Sequence, residues 1–177
     1  MEVTLTKRQE EEDRYQDWWA RAKPLFETHD RNRFSGLPLP EFHDTPWATL
    51  KKPLSKSKVI LLSSAGIYLP PQARYDHENP EGDYTWRRIP LDADPATLRI
   101  AHAHYDHAAA EADINVVYPV QRLRELVQEG IIGRLSDTVH TWHGYVLHLA
   151  RFRDTVAQEL AAAVAQDGAD VALIVPV

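Results

Sequence analysis

Asp170-Val-Ala-Leu-Ile-Val-Pro-Val177, entered from residues 151–166 through Asp167-Gly168, sets the fold class of this chain. Upstream of it, Phe152, Val156, Leu160, Ala163 and Val164 recur at helical spacing, so an apolar helix face leads through a glycine stop into a run of β-formers. Such a run, bounded by a turn signal, predicts a buried parallel strand, and the helix before it is the crossover that parallel pairing requires. In open α/β sheets the ligand crevice lies just beyond the carboxyl ends of such strands. Residues around Val177 are therefore expected at the lip of a site.

Working outward, Lys58-Val-Ile-Leu-Leu-Ser63 followed by Ser64-Ala65-Gly66 is a β-forming run that feeds a small-residue turn, the first α/β strand. Tyr84-Thr-Trp-Arg-Arg-Ile-Pro90 reads as a short edge strand, because Pro90 cannot donate to a ladder. Leu98-Arg-Ile-Ala-His102 is a further strand candidate. Pro119 suits the first helical position, with Leu123, Leu126 and Val127 forming one face before Gly130. Gly130-Ile-Ile-Gly133 marks a tight turn, and residues 139–147 fit either a strand or a helix start. The fold class expected is α/β: a partial, open, mostly parallel sheet with flanking helices and an irregular N-terminal wrap.

Two regions follow from this pattern. Residues 1–50 hold an amphipathic helix, with Tyr15, Trp18, Trp19 and Ala22 at helical spacing, and a Pro-, Asn-, Asp- and Gly-rich connector anchored by Phe26, Phe34, Phe42 and Trp47. Residues 51–177 form the α/β domain.

Twenty Lys and Arg against twenty-six Asp and Glu give a formal charge of −6, which argues against a nucleic-acid partner and against an anionic membrane surface. No apolar run reaches the length of a membrane span, and the polar N-terminus lacks a secretory core, so the cytoplasm is the expected location. There is no cysteine, hence no disulfide, thiolate nucleophile or Cys-ligated metal within these 177 residues.

The densest chemistry is Ala101-His102-Ala103-His104-Tyr105-Asp106-His107. On an extended segment His102 and His104 share a face, as two nitrogen ligands of one metal would, with Asp106 and His107 extending the set. The pattern His-x-His-x-Asp-His resembles the metal signature of the metallo-β-lactamase superfamily, which implies a zinc-dependent hydrolase with His102, His104, Asp106 and His107 as ligands. Ala108-Ala-Ala110 stands where that superfamily carries a Gly-rich turn.

A longer set of segments points elsewhere. Val59-Ile-Leu-Leu-Ser-Ser-Ala-Gly-Ile67, Gly82-Asp-Tyr-Thr-Trp-Arg-Arg-Ile-Pro90, the stretch 102–107 with Asn115-Val-Val-Tyr-Pro119, and Arg122-Leu-Arg-Glu-Leu126 through Gly133 occur in order. Together they resemble the selenoprotein B family of glycine, sarcosine, betaine and D-proline reductases, over roughly residues 50–177. The resemblance implies reductive cleavage of a small amino-acid substrate. A selenocysteine or cysteine directly after a Val-Pro-Val-like strand end would attack a substrate activated by a pyruvoyl group on a partner subunit.

On this reading the α/β domain is incomplete at its C-terminus and the catalytic nucleophile is expected just after Val177, most simply because a UGA codon for selenocysteine was read as a stop. The shortened chain is then expected to be inactive alone and to form oligomers. By the same resemblance His102, His104, Tyr105 and His107 are catalytic candidates, and Ser63, Ser64 and Gly66 are substrate-binding candidates. A capped turn at Ser63-Ser64 and a positive-φ turn at Gly66 are the structural alternatives. His140 or His143 could also face the cleft. A third reading makes the chain a non-catalytic partner-binding module recruited through the Tyr15, Trp18, Trp19 helix.

Overall fold

The computed structural model describes residues 9, 13, 16–24 and 48–177. The chain divides into two compact units, Met1–Ala48 and Thr49–Val177. In the first, residues 16–24 are helical, Ala22 is buried, and the Trp18 and Trp19 rings lie 6.3 Å apart. Tyr15, the connector's Phe26, Phe34, Phe42 and Trp47, and with them the wrap read from the sequence, lie outside the described residues.

The second unit is an α/β domain built on a mostly parallel sheet. Its strands are β1 (Lys58–Ser63), β2 (Ile67–Tyr68), β3 (Trp86–Pro90), β4 (Arg99–Ile100), β5 (Arg134–Leu135), β6 (Thr138–Trp142) and β7 (Val171–Val175). Its helices are α1 (Ala108–Ala112), α2 (Val120–Gln128), α3 (Leu149–Asp154) and α4 (Val156–Gln166). β1 is central. β7 runs parallel to it along one side in the register Val59↔Val171 to Ser63↔Val175. On the other side β5 pairs in parallel at Lys58 and Val59, and β6 at Leu62 and Ser63. β3 is antiparallel to β6 from Trp86↔Trp142 to Pro90↔Thr138 and ends at Pro90, as an edge strand should. β2 and β4 form a separate antiparallel pair.

With neighbours on both sides and layers on both faces, all six residues of β1 are buried, which is why it reads as an unbroken apolar run. Val59 and Leu61 face a core completed by Val117, Val120 and Leu123 of the α2 layer. Ile60 and Leu62 face the opposite way, toward the side where Val156, Leu160 and Ala163 of α4 are buried at helical spacing. Each such aliphatic side chain contributes roughly 1.5–3 kcal/mol by leaving water.

The amphipathic stretch 151–166 is two helices rather than one. The break is at Thr155 (φ −119°, ψ −84°), whose hydroxyl donates to the Arg151 carbonyl at 2.7 Å. A β-branched residue bonding back to the i−4 carbonyl bends a helix in this way. Asp170 then fastens the start of β7 to the start of β1: its carboxylate accepts from the Lys58 N–H at 2.7 Å and pairs with Lys52 at 2.7 Å.

β7 is parallel as expected but it is not buried. Leu173 is 39% and Ile174 56% exposed, because within the described chain the strand has only β1 as a neighbour and lies at the sheet margin. An apolar run specifies a strand without saying whether that strand is central or marginal. Among the described residues no helix is long and apolar enough to cross a membrane.

Candidate functional site

The carboxyl ends of β1, β6 and β7 converge on one place. Ser64, directly after β1, donates its N–H to the Val175 carbonyl at 3.1 Å, and its hydroxyl oxygen accepts from the Val177 N–H at 2.8 Å. From the β6 side, the Gly144 N–H donates to the Ser64 carbonyl at 2.8 Å. A Cβ at Gly144 would sit 2.9 Å from that oxygen, so only glycine lets the chain after β6 pass this close. The hydroxyl of Ser63 turns inward, donating to the Val117 carbonyl at 2.7 Å and receiving the Ala65 N–H at 3.3 Å. Both serines thus brace the turn from which the site is hung.

Gly66 brings in the histidine segment. It has φ +67°, and its carbonyl accepts from the Ala101 N–H at 2.9 Å. A Cβ there would lie 2.5 Å from the Ala101 oxygen and 3.3 Å from His102 Cβ. This close backbone approach sets His102 against His143, their ring centroids 4.2 Å apart and their planes 26° apart. His104, which is exposed, stacks on Tyr145 at 3.7 Å and meets His102 edge-on at 5.9 Å. Tyr105 packs against His102 at 4.9 Å and His107 at 4.4 Å, and its hydroxyl donates to the Ala65 carbonyl at 3.3 Å.

The hydrogen bonds fix the tautomers. His102 Nδ1 accepts from the His104 N–H at 3.1 Å, so the proton of its neutral ring is on Nε2. His143 Nδ1 lies 3.0 Å from the Tyr145 carbonyl, which can only accept, so His143 is protonated at Nδ1 and bare at Nε2. Both Nε2 atoms are buried without a partner among the described residues. The two neutral rings therefore present one unused donor and one unused acceptor. Burial, reinforced by the neighbouring imidazoles of His143, His104 and His107, pulls His102 down to about 3. Burial also lowers His143, against the pull of its bond to the Tyr145 carbonyl. Burial raises the Tyr105 phenol to about 12, with Glu111 adding to the effect. Near neutrality the pair holds no charge.

The segment 102–107 is bent rather than extended, since the His102 side chain bonds the backbone two residues on. Asp106 is engaged as well, accepting the Ala108 N–H at 2.9 Å at the start of α1. Among the described residues no group of three or more His, Asp or Glu side chains is arranged to hold a metal ion.

Over residues 25–176 the sequence matches the model of the glycine/sarcosine/betaine reductase selenoprotein B family, a span containing β1, Ser64, the imidazole cluster and β7. The chain belongs to this family. It is 28% identical over 128 residues to the D-proline reductase subunit gamma of Acetoanaerobium sticklandii, covering 72% of this chain and 52% of that protein. It is 34% identical over 128 residues to the glycine reductase complex component B subunit gamma of Symbiobacterium thermophilum, covering 70% and 29%. With the sarcosine reductase complex component B subunit beta of Peptoclostridium acidaminophilum the identity is 32% over 111 residues, covering 56% and 23%. The chain thus spans about half the length of the first of these relatives and less than a third of the other two. No solved structure matches it at a significant level.

In this family member the sequence placed His102, His104, Tyr105 and His107 together and offered His140 or His143 beside them; the structure brings in His143, with Gly144 and Tyr145, from the end of β6. Residues 140 and 143, an odd number apart on extended backbone, leave it on opposite faces, so only one of the two can face the cleft. His140 indeed points toward α4. Its Nε2 donates to Asp167 Oδ2 at 3.0 Å, and that carboxylate also accepts from Thr138 Oγ1 at 2.8 Å. Beneath His143 lies the buried Tyr75, whose hydroxyl donates to the Thr141 carbonyl at 2.8 Å.

Proposed function

We propose that this chain is a component of a reductase complex that cleaves a small amino-acid-type substrate such as glycine, sarcosine, betaine or D-proline. The imidazole cluster at the carboxyl end of β1 forms one wall of its substrate site. The observation that carries this reading is the family match over residues 25–176, a span that includes the whole imidazole cluster. The relatives named above are components of D-proline, glycine and sarcosine reductases, and the family description adds betaine. By the same reading the working complex is cytoplasmic and includes a subunit bearing a pyruvoyl group.

Reductive cleavage needs a chalcogen nucleophile, and these 177 residues contain no cysteine. In the proposal a selenocysteine or cysteine from polypeptide outside these residues supplies it, ionised at a helix N-terminus or beside a cation. The chain's own residues suit the neighbourhood of such a group. Within the cluster the bare Nε2 of His143 can take a proton and the Nε2–H of His102 can give one. Ser64 positions the end of β7, Tyr105 backs the His102 ring, and His104 with His107 closes the sides.

The test is to purify the protein that carries these residues with its accompanying subunits, add a dithiol reductant, and follow the four candidate substrates by NMR. Consumption of at least one, dependent on this chain, is expected. If none is consumed by a complex in which every subunit is present and intact, the reading fails.

A further inference from the structure

Of the segment Gly82-Asp-Tyr-Thr-Trp-Arg-Arg-Ile-Pro90, β3 accounts only for the second half. The first half is spent on the chain that carries His143. Gly82 (φ +92°) forms an isolated antiparallel bridge with Val146, and its N–H closes a turn onto the Asn79 carbonyl at 3.0 Å. A Cβ at Gly82 would lie 2.1 Å from the Tyr145 carbonyl oxygen, a backbone atom that cannot swing aside as a side chain would. Around this passage the turn grips the same stretch. The Tyr145 hydroxyl donates to the Pro80 carbonyl at 3.1 Å, the Leu147 N–H to the Glu81 carbonyl at 3.1 Å, and the His148 N–H to the Tyr84 hydroxyl at 2.8 Å. Asp83 and Arg87 fasten the turn to the body. The Asp83 carboxylate accepts the Asp76 N–H at 2.7 Å, and the Arg87 guanidinium lies 4.3 Å over the ring of Tyr75, which is buried beneath His143.

The carbonyl held in this way is the one that fixes His143. It accepts the Nδ1–H of that ring at 3.0 Å, and such a bond decides which nitrogen of a neutral imidazole carries the proton. His143 is fully buried, so water does not compete for the ring. The Tyr145 ring stacks on His104 at 3.7 Å, so a single residue orients both imidazoles. We propose that Gly82 is a positioning residue: the close passage it permits holds the Tyr145 carbonyl against His143 Nδ1 and thereby keeps the proton-accepting nitrogen of that ring at Nε2. A side chain at position 82 pushes the carbonyl off the ring and lets the proton settle on Nε2, where His143 no longer acts as a base within the cluster. The use of that nitrogen in catalysis rests on the reductase reading; the tautomer does not.

The test is long-range proton–nitrogen NMR of the histidine rings in the 177-residue chain at neutral pH, which reads each ring nitrogen as protonated or bare. In the parent, Nδ1 of His143 should read as protonated and Nε2 as bare. Gly82→Ala should move the ratio of the two tautomers about tenfold toward Nε2–H, the weight of about one hydrogen bond. Gly130→Ala, also at positive φ but with open space around its Cβ, should leave the ratio as it is, which separates close approach from backbone strain. Tyr145→Phe keeps the ring but releases the Pro80 carbonyl, and should move the ratio the same way by about threefold. The proposal is overturned if the parent ring carries its proton on Nε2, if folded Gly82→Ala keeps the parent ratio, or if Gly130→Ala shifts it as much. Should Gly82→Ala not fold, an unmoved ratio in Tyr145→Phe overturns it instead. A complex that reduces no substrate would sink the reductase reading without touching these nitrogen shifts.

Discussion

The ring of His102 lies on the ring of His143, centroids 4.2 Å apart, although 41 positions separate them in sequence (143 − 102). Two elements make the contact: the turn after β1, where Gly66 admits the Ala101 backbone, and the chain after β6, where Gly144 passes over Ser64. Both rings are neutral and each keeps one unused nitrogen.

Acid should weaken the fold before the carboxylates titrate. His102 is held at about 3, and His143 and His140 are also lowered, in each case chiefly by burial. The unfolded chain, with histidines near 6.5, takes up protons first, so stability is full above about pH 6.5 and declines as pH falls below it. Each group contributes up to about 1.4 kcal/mol per pH unit in that window. Urea midpoints at pH 7 and pH 5 should differ clearly, and His102→Gln should shrink the difference. Equal midpoints at the two pH values would show that these rings are not kept neutral by the fold.

Gly66 and Gly130 form a matched pair for testing close approach. Both have positive φ, +67° and +72°, but a Cβ at Gly66 strikes the Ala101 carbonyl whereas one at Gly130 meets open space. Gly130→Ala should cost about 1 kcal/mol from the backbone alone, and Gly66→Ala should cost at least about 1 kcal/mol more, with displaced His102 resonances. Equal costs in thermal or urea unfolding would mean that the Gly66–Ala101 contact is loose.

Asp167 organises the opposite face. Its carboxylate takes hydrogen bonds from His140 and Thr138 and lies 3.4 Å from Arg88. Asp167→Ala strands the fully buried His140 Nε2–H and should destabilise the protein by about 2–3 kcal/mol. Asp167→Asn, which keeps an acceptor, should cost less. A loss below about 0.5 kcal/mol for the alanine variant, the scale of a neutral surface change, would contradict the arrangement.

Periodicity made the central strand, the Pro90-terminated edge strand, α2 and the parallel final strand legible, because each carries its own local signal in burial pattern or turn residue. Its limits are equally physical. The exposure of Leu173 and Ile174 depends on how many neighbours β7 has, which no window of β7 records. The helix break at Thr155 arises from a side-chain bond that competes with the ladder, and the bend at His102 arises in the same way. The sequence clustered the imidazoles of 102–107 but left His140 and His143 as alternatives, since residues 139–147 fit a strand or a helix start and only the strand fixes which face each takes.

If the His102–His143 cluster walls the reductase site, its role is read in kcat/KM for substrate reduction by the assembled complex carrying His143→Gln, which retains a hydrogen-bonding side chain but cannot accept a proton as a base. A fall of about a hundredfold or more, the scale of a lost general base, with subunit association unchanged, is the predicted result. A rate within about twofold of the parent, far short of the tenfold that about 1.4 kcal/mol represents, would contradict it.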